Sequence, residues 1–268
     1  MSTTLDLNRL GQAALALAVE AGAAILEIYA SDFSIAHKAD RSPLTEADLR
    51  ANRLILAGLC ALTPDIPVLS EESSDLTLAE RQRWTRHWLV DPLDGTREFV
   101  SRNGEFTVNI ALIEDARPVL GVVHVPVQRC SYMGAPGGSA TMITAAGARA
   151  VRVAKPAHEP PRVVGSRSHR GDSLDAYLAI LGPHTFVGVG SALKFCVIAE
   201  GSADFYPRFG PTSQWDTAAG QAVVEAAGGA VLDTEGQPLR YPTRAGYLNP
   251  HFVAIGDTSR PWPSTQGR

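Results

Sequence analysis

The run Asp91-Pro92-Leu93-Asp94-Gly95-Thr96 places two carboxylates and a threonine hydroxyl on one tight turn that a glycine permits. The apolar stretch Trp88-Leu89-Val90 before it reads as a short buried strand. A rigid strand that delivers two hard oxygen anions to one point suits Mg²⁺. Taken alone, the run reads equally as a surface turn, since Asp, Pro and Gly are ordinary turn residues. Acidic groups elsewhere weigh against that reading. Glu71 follows a second strand candidate, Pro67-Val68-Leu69, and Asp216 opens a predicted helix after Pro211-Thr212-Ser213-Gln214-Trp215. Asp48 sits in the first turn of another predicted helix. Asp216 and Asp48 also fit simple capping roles, which do not exclude chemistry. Four or five carboxylates without clustered His or Cys imply Mg²⁺ or Mn²⁺ rather than Zn²⁺. A site of that kind holding more than one ion suits phosphoryl chemistry.

These groups need elements to position them. Leu5 to Tyr29, rich in Ala and Leu, predicts a helix with Thr3 or Thr4 as cap. Ser31 to Ser42 is polar and irregular or a hairpin. Thr45-Glu46-Ala47-Asp48 has the form of a capping box and opens a second helix. Thr107 to Ile113, Ala116 to Val125 and Cys130 to Ala135 predict successive strands of an antiparallel meander. A boundary falls between Gly147 and Pro161, where prolines cluster. Beyond it strands at 162–164, 185–189, 203–206 and 252–255 alternate with helices at 173–181, 191–200 and 216–227, the last ended by Gly228-Gly229. The segment from Asp257 to Arg268, rich in Pro, Ser and Gly, is expected to be mobile.

Composition narrows the partners. The 268 residues are 45% hydrophobic, enough for a large core, and the net charge of −4 offers no basic field for nucleic acid or an anionic membrane. Cys60, Cys130 and Cys196 are dispersed and odd in number, which suits a reducing cytoplasm and gives neither a disulfide framework nor a zinc site. Leu10 to Val19 lacks the basic flank of a signal peptide and is read as an amphipathic helix; no uninterrupted apolar run approaches the ~20 residues that cross a bilayer.

With these residues in view, the chain resembles the Mg²⁺-dependent, Li⁺-sensitive phosphatases of the inositol monophosphatase superfamily. The likeness rests on Glu71-Glu72, then Asp91 to Thr96, then Trp215-Asp216-Thr217-Ala218-Ala219-Gly220, in that order. Within the superfamily, Gly165-Ser166-Arg167-Ser168-His169, Gly190 to Cys196 and Tyr206-Pro207-Arg208 resemble the 3'(2'),5'-bisphosphate nucleotidases of the CysQ type. The resemblance implies a layered αβαβα sandwich of the inositol monophosphatase and fructose-1,6-bisphosphatase kind. Residues 1–155 would form an α+β half with an antiparallel sheet and most metal ligands. Residues 156–268 would form a mixed αβ half carrying Asp216 and the nucleotide contacts.

It also implies roles. Glu71, Asp91 and the Leu93 carbonyl would hold one ion, and Asp91, Asp94 and Asp216 a second; a third would lean on Glu71 and water. Mn²⁺ would be the substitute for Mg²⁺. Thr96, bonded to Asp48, would orient and help deprotonate the attacking water, so that Asp48, Thr96 and Glu71 make the catalytic set. The N–H groups of Gly95 and Thr96 would meet the phosphate. Ser166 belongs to the nucleotide segment, and His169 would stack on adenine or bond its edge. Ser191, Lys194 and Arg208 would contact the ribose and the uncleaved phosphate. Plainer readings stand beside these: a loop histidine, a helix cap at Ser191, a solvated lysine, and an arginine paired with a surface carboxylate. Arg167 is unassigned, and Lys38 would tune the metal loop.

The function so implied is hydrolysis of the 3'-phosphate of adenosine 3',5'-bisphosphate to AMP, and of 3'-phosphoadenylyl sulfate, by metal-activated water in sulfur assimilation. Alternatives are an inositol monophosphatase or broad sugar-phosphate phosphatase, and a nucleotide-sensing binding protein. The implied setting is cytoplasmic, with peripheral inner-membrane association open, and the oligomer is a monomer or homodimer.

Overall fold

Side-chain alternation decides how the long central strands are used. In the computed structural model, which describes residues 5–37, 43–73, 76–166 and 171–265, Trp88, Val90, Val108, Ile110 and Leu112 are buried in one apolar cluster, and Leu89, Ala111 and Ile113 in another. Successive strand residues point to opposite faces, so this sheet must be covered on both.

The chain runs through α1 (Leu7–Tyr29), β1 (Ala36–His37), β2 (Pro43–Leu44), α2 (Glu46–Leu62), β3 (Val68–Ser70), α3 (Leu78–Arg81), β4 (Arg86–Asp94) and α4 (Thr96–Val100). Next come β5 (Thr107–Glu114), β6 (Arg117–Val125), β7 (Cys130–Gly134), β8 (Ala140–Thr144) and β9 (Gly147–Val151). Then follow β10 (Arg162–Gly165), α5 (Asp172–Leu181), β11 (Thr185–Gly188), α6 (Leu193–Ala199) and β12 (Phe205–Arg208). A 3₁₀ turn (Gln214–Asp216), α7 (Ala218–Ala226), β13 (Ala230–Asp233) and β14 (Phe252–Ile255) end the series.

β3 to β9 lie in sequence order in a seven-stranded sheet, antiparallel except for the β3–β4 pair. The second sheet has the order β11-β10-β12-β14-β13 and is mixed. α1 and α2 pack on one face of the first sheet, and α6 and α7 lie between the two sheets. Leu174, Tyr177 and Leu178 of α5 cover the outer face of the second sheet. This is the expected αβαβα sandwich.

Several elements differ from the sequence reading. The meander continues through β8 and β9 to Val151, past the Gly147 end of the expected boundary; β9 is mostly exposed, so it lacks the apolar alternation that marks a strand. β13 was not foreseen: it directly follows the Gly228-Gly229 helix stop and reads there as part of the turn. Asp6, not Thr3 or Thr4, caps α1 by accepting from the Arg9 N–H at 3.0 Å. Asp216 closes the 3₁₀ turn instead of opening α7. The segment after Asp257 is docked through Thr265: Trp262 stacks on Phe205 with centroids 4.6 Å apart, and Tyr177 donates to the Pro263 carbonyl at 3.0 Å. Burial of an indole outweighs the flexibility of the flanking residues. As a whole helix, α1 is long and apolar enough to cross a bilayer by length and composition, although Leu10, Ala14, Ala18, Ala21 and Ile25 are buried along its inner stripe.

α7 approaches the first sheet closely at two positions where glycine leaves no side chain beneath it. Gly121 and Gly134 are cross-strand partners. A Cβ on Gly121 would lie 2.3 Å from the Ala219 carbonyl oxygen, and one on Gly134 would lie 2.9 Å from Val223 Cα. Gly121→Ala is therefore expected to destabilise the fold by about 1–3 kcal/mol. Exposed Gly246, with nothing within 4 Å of its added Cβ, should tolerate alanine within about 0.5 kcal/mol. Urea unfolding of both variants checks this.

Burial also holds the imidazoles of His87 and His124 neutral, lowering each to about 4. An unfolded histidine titrates near 6.5, so the unfolded chain binds more protons between those values. Their contribution to stability should fall as pH drops from about 6.5 to about 4, by up to about 1.4 kcal/mol per pH unit per histidine, against the opposite trend of the carboxyls that burial raises. His124→Gln should remove roughly half of that slope in denaturant titrations at stepped pH.

Candidate active site and metal centre

β4 carries the two carboxylates of the motif, and their spacing poses a problem. Residues three apart on a regular strand face opposite ways. Asp91 pairs with Asn109, and Asp94 with Thr107, so β4 spends one residue more than β5 over this stretch. That bulge restores the parity. Leu93 turns into the cluster beneath α1 and α2, and Asp94 returns to the face of Asp91, toward the middle helical layer. Pro92 sits inside the bulge, where a missing N–H costs no ladder bond. Gly95 then takes φ of 90°, a left-handed conformation that a Cβ would strain. Its added Cβ would also crowd Ser191 Cβ at 3.2 Å.

The other groups arrive from separate elements. Asp48, 1% exposed, accepts the Thr45 N–H and hydroxyl on Oδ2 at 2.8 and 2.6 Å. Its Oδ1 accepts the Thr96 hydroxyl at 3.3 Å. Cap and Thr96 partner are thus one carboxylate with its two oxygens divided. The Glu71 N–H donates to the Val90 carbonyl at 3.1 Å, which ties the Glu71 loop to β4. Asn52 fixes the same loop by accepting from Ser70 and donating to Ser73. The 3₁₀ turn of Asp216 packs against β4 and β5, and Asp216 Oδ2 accepts the Ser213 N–H at 2.9 Å.

These anions disturb one another. Burial, then the charges of Asp94 and Glu71, push Asp216 well above the usual carboxylate range. Burial pushes Asp94 up to about 6, against the pull of Lys194 and of its hydrogen bonds. Asp94 Oδ2 accepts the Ala192 N–H at 2.6 Å and the Asn109 amide at 3.2 Å. Among the described residues, no three His, Cys, Asp or Glu side chains are grouped closely enough to grip an ion. Glu71, Asp94 and Asp216 are therefore neighbours in a shared field, not a closed ligand cage, with Asp91 on the Asp94 face of β4. Like-charge repulsion opposes their approach.

A cavity of about 260 Å³ opens beside them, lined by Asp94, Gly95, Thr96, Ser191, Lys194, Arg208 and Asp216, among others. A second, of about 300 Å³, adjoins it through Ser166 and Arg208 and reaches the start of α5. Lys194 is no solvated helix residue. It is 6% exposed, donates to the Ser191 carbonyl at 2.6 Å, and is lowered to about 8 by burial. Ser191, with φ of 45°, precedes Ala192, the N-cap of α6, and so is not the cap itself; its hydroxyl lies 3.4 Å from the Leu193 N–H, and it lines the cavity. Arg208 donates to the Pro211 carbonyl at 2.9 Å, while its Nε is buried without a hydrogen-bond partner among the described residues. His169, Arg167 and Lys38 lie outside the described residues.

Sequence reasoning missed Asn52, Glu105 and Asn109. Glu105 accepts the Gly190 N–H at 2.8 Å, so it and Asp94 both hold the loop that carries Ser191. Asn109 had a visible signal: an amide in an apolar strand, at a position whose parity turns it inward.

Residues 6–257 match the profile of the inositol monophosphatase family. The 3'(2'),5'-bisphosphate nucleotidase CysQ of Salmonella typhimurium is 53% identical over 238 residues, covering 88% of this chain and 95% of that protein. The crystal structure of CysQ from Bacteroides thetaiotaomicron superposes with a TM-score of 0.84 at 40% identity, covering 94% of this chain and 99% of that one. An inositol monophosphatase of Thermotoga maritima shares the fold, with a TM-score of 0.77 at 24% identity over 93% of this chain and 92% of that one. The chain belongs to the inositol monophosphatase family, and within it resembles the CysQ proteins.

Proposed function

We propose that the protein is a Mg²⁺-dependent 3'(2'),5'-bisphosphate nucleotidase that releases phosphate from the 3'-position of adenosine 3',5'-bisphosphate. The observation that carries this reading is the meeting, in one cleft, of mutually repelling carboxylates with Lys194 and Arg208. A simple sugar phosphate needs the anions and their cations. The added basic pair, and the second cavity that shares Arg208, suit a substrate with a second phosphate and a base. The identity to the CysQ proteins supports the same choice over an inositol monophosphatase or a nucleotide sensor.

The family is metal-dependent, with Mg²⁺ its usual ion. The donor set fits: hard oxygens whose ionised forms are unfavourable together until a cation joins them. Glu71, Asp91, Asp94, Asp216 and the Leu93 carbonyl would hold two or three ions, with Mn²⁺ as the substitute. Bound there, Mg²⁺ polarises the phosphoryl group and neutralises charge on the departing oxygen. The chain's own groups do the rest. Thr96 orients the attacking water, and Asp48 receives the proton that Thr96 relays. The Gly95 and Thr96 N–H groups cradle the phosphate. Ser166, Ser191, Lys194 and Arg208 hold the nucleotide and its uncleaved phosphate, with His169 on the base. Residues 1–155 thus supply most of the metal set, and 156–268 supply Asp216 and the specificity. Free Cys60, Cys130 and Cys196 suit a cytoplasmic enzyme.

Phosphate release is measured from adenosine 3',5'-bisphosphate and inositol 1-phosphate at matched concentrations with Mg²⁺. The nucleotide should be strongly preferred, and preference for the inositol phosphate would overturn the assignment. Asp91→Asn should lower turnover by about a hundred- to a thousandfold with the fold intact. Arg208→Ala should cost about ten- to a hundredfold on the nucleotide and far less on the monophosphate.

The repulsion has a separate consequence. Asn at 216 can still accept from Ser213 but carries no charge. Asp216→Asn should raise the stability of the metal-free protein, and should weaken the added stabilisation by Mg²⁺. Calorimetric melts in chelator and in Mg²⁺ read both changes.

A further inference from the structure

Beneath the carboxylates lies a polar floor in an otherwise apolar strand. Thr107 and Asn109 of β5 are 0% and 1% exposed and face Asp94 and Asp91 across the bulge. The Asn109 amide N–H donates to Asp94 Oδ2 at 3.2 Å. An ionised carboxylate only accepts, so this bond fixes which end of the amide is which. Asn109 Oδ1 and Thr107 Oγ1 are then left buried with no hydrogen-bond partner among the described residues. Burying each such group unpaired is unfavourable, and an apolar pair at these positions would avoid it. Asp94 Oδ2 is saturated from two sides, by Asn109 and by the Ala192 N–H, which leaves Oδ1 as the oxygen available to a cation.

We propose that Asn109 is a positioning residue for the metal centre. It fixes the rotamer of Asp94, and with Thr107 it keeps two acceptors for water lying between the strand and the carboxylate cluster. This inference rests on the cluster being the cation site proposed above. The Ala192 N–H holds Asp94 from the half that carries the nucleotide contacts. Asn109 holds it from the sheet, independently of substrate, so the metal side of catalysis is where loss of Asn109 should register.

The test titrates Mg²⁺ against thermal unfolding without substrate, for wild type, Asn109→Leu and Thr107→Val. Asn109→Leu should need about ten- to a hundredfold more Mg²⁺ for half the stabilisation. Thr107→Val should need about two- to tenfold more. In turnover, the activation constant for Mg²⁺ should rise in parallel, while kcat at saturating Mg²⁺ and KM for the nucleotide stay within about threefold of wild type. A merely structural role would lower the melting temperature at every Mg²⁺ concentration and leave the titration midpoint in place. An unshifted midpoint in Asn109→Leu overturns the inference alone. Absence of any Mg²⁺ effect on the wild type overturns the cation site itself. If Asn109→Leu does not fold, Asn109→Ser, which also loses the amide donor, is read by the same midpoint.

Discussion

One extra residue in β4 is the constraint on which the rest of the site depends. Without the bulge, Asp91 and Asp94 would lie on opposite faces of a sheet that is buried on both. One of the two would then sit in the apolar layer under α1 and α2, among Trp88 and Val90. An unpaired carboxylate there is untenable. With the bulge, Leu93 takes that apolar position, and both acids face α6, α7 and the Asp216 turn. The motif's residues are thus specified by register: Pro92 tolerates an unpaired position, Leu93 fills the opposite core, and Gly95 accepts the left-handed turn that follows.

Gathering acids on one face creates an electrostatic debt that the surrounding backbone only partly offsets. Leu93, Ala192 and Ser213 each give an N–H to Asp91, Asp94 and Asp216. Those bonds orient the carboxylates, yet Asp94 and Asp216 remain raised by burial and by their neighbours. Of the cations lining the cavity, Lys194 donates to carbonyls of its own loop and Arg208 to that of Pro211. A structure that keeps its anions oriented but under-compensated is less stable than it could be, and correspondingly avid for a divalent ion. Strain of this kind is expected where binding, not folding, selects the residues.

Much of this was legible in the sequence because it was local. The Thr45-Asp48 capping box, the turn at Gly95 and the meander follow from spacing and residue type, and the order of the acidic segments pointed to the family. What stayed hidden was relational. The bulge is a property of β4 and β5 together, so no inspection of β4 alone reveals it. Asn109 reads as a misplaced amide until its hydrogen bond to Asp94 is seen. β9 was obscured because an exposed strand need not alternate apolar and polar residues, and β8 because it is only half-buried. The docking of Trp262 depends on Phe205, more than fifty residues earlier. Asp216 was read as a helix opener because a one-turn 3₁₀ segment and an N-cap share the same sequence signs.

The two halves of the site are joined by backbone more than by side-chain pairs. Asp94 takes the Ala192 N–H and Glu105 takes the Gly190 N–H, so carboxylates of one half hold the loop of the other. Ser191, between them, is kept in a left-handed conformation that non-glycine residues rarely adopt. α6 starts directly after this loop, and Gly220 of α7 meets Phe195 so closely that an added Cβ would lie 2.4 Å from its ring. α7 in turn rests on Gly121 and Gly134 of the first sheet. The chain of contacts closes on itself: sheet to α7, α7 to α6, α6 to the Ser191 loop, and the loop back to Asp94. A change in the charge or orientation of Asp94 is therefore felt first by the backbone that presents Ser191 and Lys194. In this architecture Asp94 is tied to the Ser191 loop through the Ala192 N–H, while Asn109 reaches the same carboxylate oxygen separately from the sheet.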